Sequence, residues 1–181
     1  PVASTIDRAR LEIFLRELDR ESLRYMSEGS APPHPRLTLV DEAREALHHA
    51  RASVVASGTA TIQAAVVGNP FVVVYRVSPL TFLLAKKLVA YPAEFADMAD
   101  ADSNQPIAMV NLVAGQRIVP ELLQQRFTAA NVAAALAPLL INSPEREAQI
   151  AALAEVRAAL QSPADPILTT AAAVLAALAK A

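Results

Sequence analysis

Residues 53–75 read SVVASGTATIQAAVVGNPFVVVY, and the order of residue types along them decides the fold. Two short apolar, β-branched runs, SVVAS from Ser53 and Phe71–Tyr75, lack the polar alternation of a half-exposed strand, so both read as strands buried on two faces. Between them, Ala60 to Val67 has the length and alanine content of a helix, and GNP (68–70) stops it. Strand, helix and strand at this spacing form a crossover unit, because parallel neighbours need a connection long enough to hold a helix.

Working outward, the same rhythm continues. Pro79 to Val89 predicts a helix with Arg76 ahead of it and Lys86 and Lys87 on it. Upstream, Thr5 to Met26 spaces apolar residues for an amphipathic helix. RLTLV (36–40) predicts a short strand, and a helix follows with Asp41 and Glu42 in its first turn. Downstream, Pro120 predicts a helix start carrying Glu121 in the first turn and Gln124 one turn later. Ala129–Leu140, Pro144–Leu160 and Pro166–Ala181 predict further helices, each proline suited to a first turn.

The chain has 181 residues, 54% hydrophobic and 19% charged, with 16 Lys+Arg against 18 Asp+Glu. That composition describes a globular domain with a real core. A formal charge of -2 excludes a broad electrostatic attraction to nucleic acid. There is no cysteine, which removes disulfides, thiolate nucleophiles and sulfur-ligated zinc. No apolar run reaches the length that spans a bilayer, and no leader pattern opens the chain. A start at Pro1, directly before a helix, reads as entry into the middle of a longer protein.

Three constellations carry possible chemistry. The first is Ser57-Gly58-Thr59, at a strand's carboxyl end, where ligands of parallel sheets bind. The first N–H groups of the following helix have no internal partner and carry the positive end of its dipole. Gly58 lets an anion approach the backbone, Ser57 and Thr59 add hydroxyls, and Gln63 lies one turn along on the same face. The residues leave two readings open, a helix cap by Ser57 or Thr59 with Gln63 solvated, or an anion seat. The dinucleotide and nucleoside-triphosphate fingerprints are absent. The second is NLVAGQRIVPELLQ (111–124), whose Asn111, Glu121 and Gln124 suit a nucleoside or sugar, or belong to ordinary capping. The third is YRVSPLTFLLAKKLV (75–89). Its Arg76 and Ser78 sit at a strand end, and its helix either packs on the sheet or lies against anionic lipid. His48 and His49 lack a third ligand for a metal, and the acidic stretch 93–106 lacks the spacing of a calcium loop.

ASGTATIQAAVVGNPFVVVYRVSPLTFLLAKKLV (56–89) together with NLVAGQRIVPELLQ (111–124) resembles the C-terminal half of the lipid-A-disaccharide synthase family of inverting glycosyltransferases. The resemblance implies an α/β fold, a Rossmann-like parallel sheet flanked by helices. This would be an incomplete C-terminal nucleotide-binding domain of a GT-B glycosyltransferase over 1–142, with a helical tail over 143–181. It implies a UDP-2,3-diacylglucosamine donor, a 2,3-diacylglucosamine 1-phosphate acceptor and the cytoplasmic face of the inner membrane, with no metal or redox cofactor. Carried over, Ser57, Gly58 and Thr59 contact the diphosphate, Arg76 and Ser78 line the donor side, and Asn111, Glu121 and Gln124 hold the nucleotide or glucosamine. No residue of this chain takes the role of catalytic base, so the chain alone is expected to be inactive. Two features depart from the family: Gln63 where it usually has a glutamate facing ribose, and the acidic insertion 93–106. The competing expectations are another UDP-sugar enzyme of the same fold and a non-catalytic interaction module.

Overall fold

The computed structural model describes residues 8–27, 38–161 and 165–178. It contains two compact units, Pro1–His49 and Ala50–Ala181. In the first, α1 (Arg8–Ser27) is the expected amphipathic helix, and α2 (Ala43–His49) carries Glu45 in its first turn and His48 and His49 in its last. That placement of acid and imidazole follows the helix dipole. Asp41 and Glu42 lie just ahead of α2 instead of in its first turn, the Ala46 N–H reaching the Glu42 carbonyl. The strand expected at 36–40 is not formed over Thr38–Val40, which have no ladder partner among the described residues; Arg36 and Leu37 lie outside them.

The second unit is built on a parallel three-stranded sheet in the order β1 (Ser53–Ala56), β2 (Phe71–Tyr75), β3 (Glu121–Leu123). Ser53 pairs with Phe71 and Ala56 with Val74, while Val73 pairs with Glu121 and Tyr75 with Leu123. The central strand explains the unbroken apolar run of FVVVY, since Phe71, Val72 and Val73 are all fully buried. Its alternate residues Val72 and Val74 pack with Leu122 against Leu139, Val132 and Leu136 of α6 (Ala129–Leu140). The helices α3 (Thr59–Val67), α5 (Met109–Ala114) and α7 (Pro144–Leu160) contact one another as a separate group. Ala64 and Ala65 of α3 are buried there, their small side chains allowing close approach between helices.

The helix expected from Pro120 is not formed. Glu121–Leu123 is β3, and Gln124–Arg126 is a single 3₁₀ turn. Proline followed by glutamate does favour a helix start. Here the three following residues are all buried alongside β2, and the Val73 N–H reaches the Pro120 carbonyl at 2.8 Å, so pairing overrides local preference. α4 (Pro79–Leu88) and α8 (Pro166–Leu178) complete the described helices. The division expected between 142 and 143 separates α6 from α7, which touch each other inside the second unit.

Candidate functional site

Because the strands are parallel, β1, β2 and β3 end at one edge of the sheet, and the singled-out residues gather along it or just behind it. At the end of β1 the Ser57 N–H extends the ladder to the Val74 carbonyl at 3.1 Å. Gly58 then turns the chain at φ 142° and ψ −162°, a conformation essentially reserved for glycine. A Cβ there would meet nothing within 4 Å, so the backbone torsion, and not crowding, requires glycine, and the corner is open. Gly58 is itself the N-cap of α3, and no side chain caps the helix. Thus Ser57 and Thr59 do not perform the capping role. The Ser57 hydroxyl donates to the Ile107 carbonyl at 3.3 Å, while Thr59 and Gln63 are exposed one turn apart. Thr61 behind them is fully buried, its hydroxyl donating to the Gly58 carbonyl at 2.7 Å.

Behind this corner lies a buried polar network. Asn111 is fully buried in α5, and its Oδ1 accepts from the Ile118 and Val119 N–H groups at 2.9 and 3.0 Å. Its Nδ2 donates to the Val119 carbonyl and to Glu121 Oε1 at 3.0 and 2.7 Å, so the amide is saturated by protein. The Glu121 side chain, fully buried, also accepts from the Ile107 and Ala108 N–H groups at 2.9 and 3.3 Å and has Arg117 3.7 Å away. A buried carboxylate is tolerable only with partners of this kind. Ile107 therefore receives a bond from Ser57 on one side and is held by Glu121 on the other. The consequence is a chain of contacts from β3 to the glycine corner.

Arg76 and Gln124 meet at the ends of β2 and β3. The Arg76 guanidinium donates to the carbonyls of Gln124, at 3.1 Å from Nη2, and of Phe127, and it lies 5.1 Å from the Phe127 ring centre. Gln124 adopts a positive φ of 49° and accepts from the Val77 N–H at 3.2 Å, leaving its buried Nε2 without a partner. Ser78 caps α4, accepting from the Thr81 N–H at 3.1 Å. The Arg76, Ser78 and Gln124 cluster thus borders a different part of the edge from Ser57–Gln63.

The sequence pattern gave little sign of three contributors. Ile107 acts through its backbone. Arg117 donates to the Met98 and Asn104 carbonyls, both at 2.7 Å, and so ties the acidic insertion to the start of β3. Lys86 does the same from α4, reaching the Asp102 carbonyl at 3.0 Å and Asn104 Oδ1 at 3.2 Å. The insertion is accordingly a shaped segment, a 3₁₀ helix (Ala93–Met98) followed by a turn around Asp100. Burial raises the Asp100 pKa, but bonds from the Asn104 N–H and amide and the Asp102 N–H, with the Arg117 charge, outweigh it and hold the carboxyl below its ordinary value. Tyr91 donates to the Pro106 carbonyl at 3.1 Å. Burial and the Glu121 charge raise its phenol above the usual range, against an opposing effect of Arg117. Among the described residues no helix is long and apolar enough to cross a membrane.

The family model described as lipid-A-disaccharide synthetase matches residues 8–173. A lipid-A-disaccharide synthase of Acidobacterium capsulatum is 51% identical over 129 residues, 71% of this chain and 29% of the relative. Proteins of the same name from Koribacter versatilis and Anaeromyxobacter dehalogenans are 40% and 38% identical over 90% and 92% of the chain, and it covers 36% and 37% of them. The chain thus spans about a third of the length of these curated relatives. The match over nearly all of its residues establishes that this chain belongs to the lipid-A-disaccharide synthetase family.

Proposed function

We propose that the sheet edge around Gly58 binds the UDP of a UDP-2,3-diacylglucosamine donor. The longer protein to which such a chain contributes would transfer that sugar to 2,3-diacylglucosamine 1-phosphate. The observation that carries the reading is the uncapped start of α3, open above a glycine held at φ 142°. Unpartnered helix N–H groups with the dipole behind them are suited to a diphosphate, and Thr59 and Gln63 offer a hydroxyl and an amide beside it. Ser57, Gly58 and Thr59 take the diphosphate in this reading, and Gln63 faces ribose.

Asn111 and Glu121 serve the nucleotide through the loop they hold, since both side chains are buried and engaged. Arg76, Ser78 and Gln124 line the sugar side. Transfer breaks the bond from the sugar's anomeric carbon to the diphosphate and forms one to the acceptor hydroxyl, whose proton goes to a base. No residue of this chain is assigned that base, so the chain binds without turning over. Because donor and acceptor are both acylated, the site works at a membrane surface, for which the exposed Leu80, Leu83, Leu84 and Leu88 of α4 beside Lys86 and Lys87 are suited.

Calorimetric titration of the chain with UDP tests the reading. One UDP per chain is expected, weakened by about tenfold in Thr59→Ala, the cost of one hydrogen bond to a charged group. The absence of heat at millimolar UDP would refute it.

A further inference from the structure

Two hollows meet beside α4. The first, of about 420 Å³, is walled by Phe82, Ala85, Val89, Tyr91 and Ile107, with Gln105 among them. The second, of about 840 Å³, runs past Arg76, Leu83, Gln124 and Asp102. Phe82, Lys86 and Asn104 border both, so the two form one continuous depression, apolar at one end and cationic at the other.

Each end holds a buried polar atom without a partner: Nε2 of Gln124 in the cationic part and Oε1 of Gln105 in the apolar part. Gln124 is only 8% exposed. Reversing its amide does not remove the problem, because Oε1 already accepts from the Val77 N–H and the reversed group would oppose two donors. A buried donor left unpaired is costly, and this one is missing an acceptor. The charges around it ask for the same thing. Arg76 is bonded to carbonyls, and Lys86 to one carbonyl and one amide oxygen, so neither has a carboxylate partner among the described residues. The ammonium of Lys86 keeps a third donor. Asp102, the one carboxylate on this wall, faces Arg126 at 3.8 Å.

We propose that the joined hollows bind one anionic amphiphile, a phosphate monoester carrying an alkyl chain. Its phosphate meets Lys86, Arg76 and the Gln124 amide, and its chain lies along Phe82, Val89, Tyr91 and Ile107. There Gln105 Oε1 accepts from a hydroxyl or amide N–H borne on the chain. The proposal rests on the reading above for its natural source, an acylated sugar phosphate, and it adds residues and a ligand that the nucleotide corner does not use.

The test titrates the chain with inorganic phosphate, octyl phosphate, decyl phosphate and octanol, each below its micellar concentration, and with UDP in parallel. One alkyl phosphate per chain is expected. Decyl phosphate binds about tenfold tighter than octyl phosphate, since each buried methylene contributes roughly fourfold. Inorganic phosphate and octanol bind at least about tenfold more weakly than octyl phosphate. Lys86→Gln lowers alkyl phosphate affinity about tenfold and leaves octanol unchanged. Ala85→Trp, on an exposed position of α4, fills the apolar end and abolishes the difference between octyl and decyl phosphate while sparing inorganic phosphate. Melting temperatures close to the parent's establish that both variants are folded.

Equal affinity for octyl and inorganic phosphate, many molecules bound per chain, or binding untouched by both substitutions would overturn the proposal. UDP binding without alkyl phosphate binding refutes the amphiphile site and leaves the nucleotide site standing. The opposite result refutes the nucleotide site alone.

Discussion

Gly58 is the residue on which both the turn and the open corner depend. At φ 142° an L side chain is strained whatever space surrounds it, so Gly58→Ala is expected to destabilise the chain by about 1–3 kcal/mol, measured by urea unfolding. The cost should fall on the fold as well as on UDP binding, which distinguishes it from Thr59→Ala, where only binding weakens. Glu121→Gln probes the network behind the corner. The carboxylate accepts from two backbone N–H groups and the Asn111 amide, and a glutamine there turns one acceptor into a donor facing donors. A loss of about 1–3 kcal/mol in unfolding free energy is expected, with hydrogen exchange at the Ile107 and Ala108 amides accelerated. The glycine corner was readable in the sequence because strand end, glycine and helix start are a local pattern. The saturation of Asn111 and Glu121 was not, since their partners, 107–108 and 117–119, are assembled by the fold, and polar residues in a loop look the same whether they face solvent or one another.

At the scale of elements, β2 was legible because five apolar residues without alternation have few other uses. β3 was hidden because Pro-Glu is a helix-start signal and only three residues follow before the 3₁₀ turn. Its strand character comes from β2, a neighbour nearly fifty residues away in sequence. The acidic insertion likewise carries no periodicity, yet Arg117, Lys86 and the Asp100 turn give it a fixed path. Arg117→Met keeps the aliphatic stem and removes both carbonyl contacts, so faster proteolytic cleavage within 99–106 is expected at unchanged global stability. Asp100 adds a pH dependence of known sign. Its folded pKa lies below the ordinary value, so its contribution is complete above about pH 4 and disappears as pH falls through the folded pKa. Asp100→Asn should flatten the acid limb of the stability profile, read from urea midpoints between about pH 5 and 2, without changing the profile near neutrality.

For the whole molecule, the composition and the strand–helix rhythm are enough to read an α/β chain with a parallel sheet, but not where its cooperative unit ends. A division between 142 and 143 is natural in sequence, where NSP separates two alanine-rich helices. In the structure α7 crosses that line into the core: Leu153 is fully buried and Val156 is 3% exposed. Gln149 is more telling. Its Oε1 accepts from the Phe71 N–H at 2.9 Å and its Nε2 donates to the Ile118 carbonyl at 3.2 Å, so one α7 side chain satisfies backbone groups next to β2 and β3. Residues 50–181 are therefore expected to fold by themselves, with a single cooperative urea transition and a slope of about 1–3 kcal/mol/M. Residues 50–142 should lack that transition, because removing α7 exposes apolar surface of α3 and α5 and strands the Phe71 N–H and Ile118 carbonyl in a poorly solvated place. Gln149→Leu in the longer piece separates the two causes. It retains apolar burial and loses only the two bonds, so a shift of about 1–3 kcal/mol with the transition intact is expected, whereas a cooperative 50–142 would show that the sheet and α6 suffice without α7.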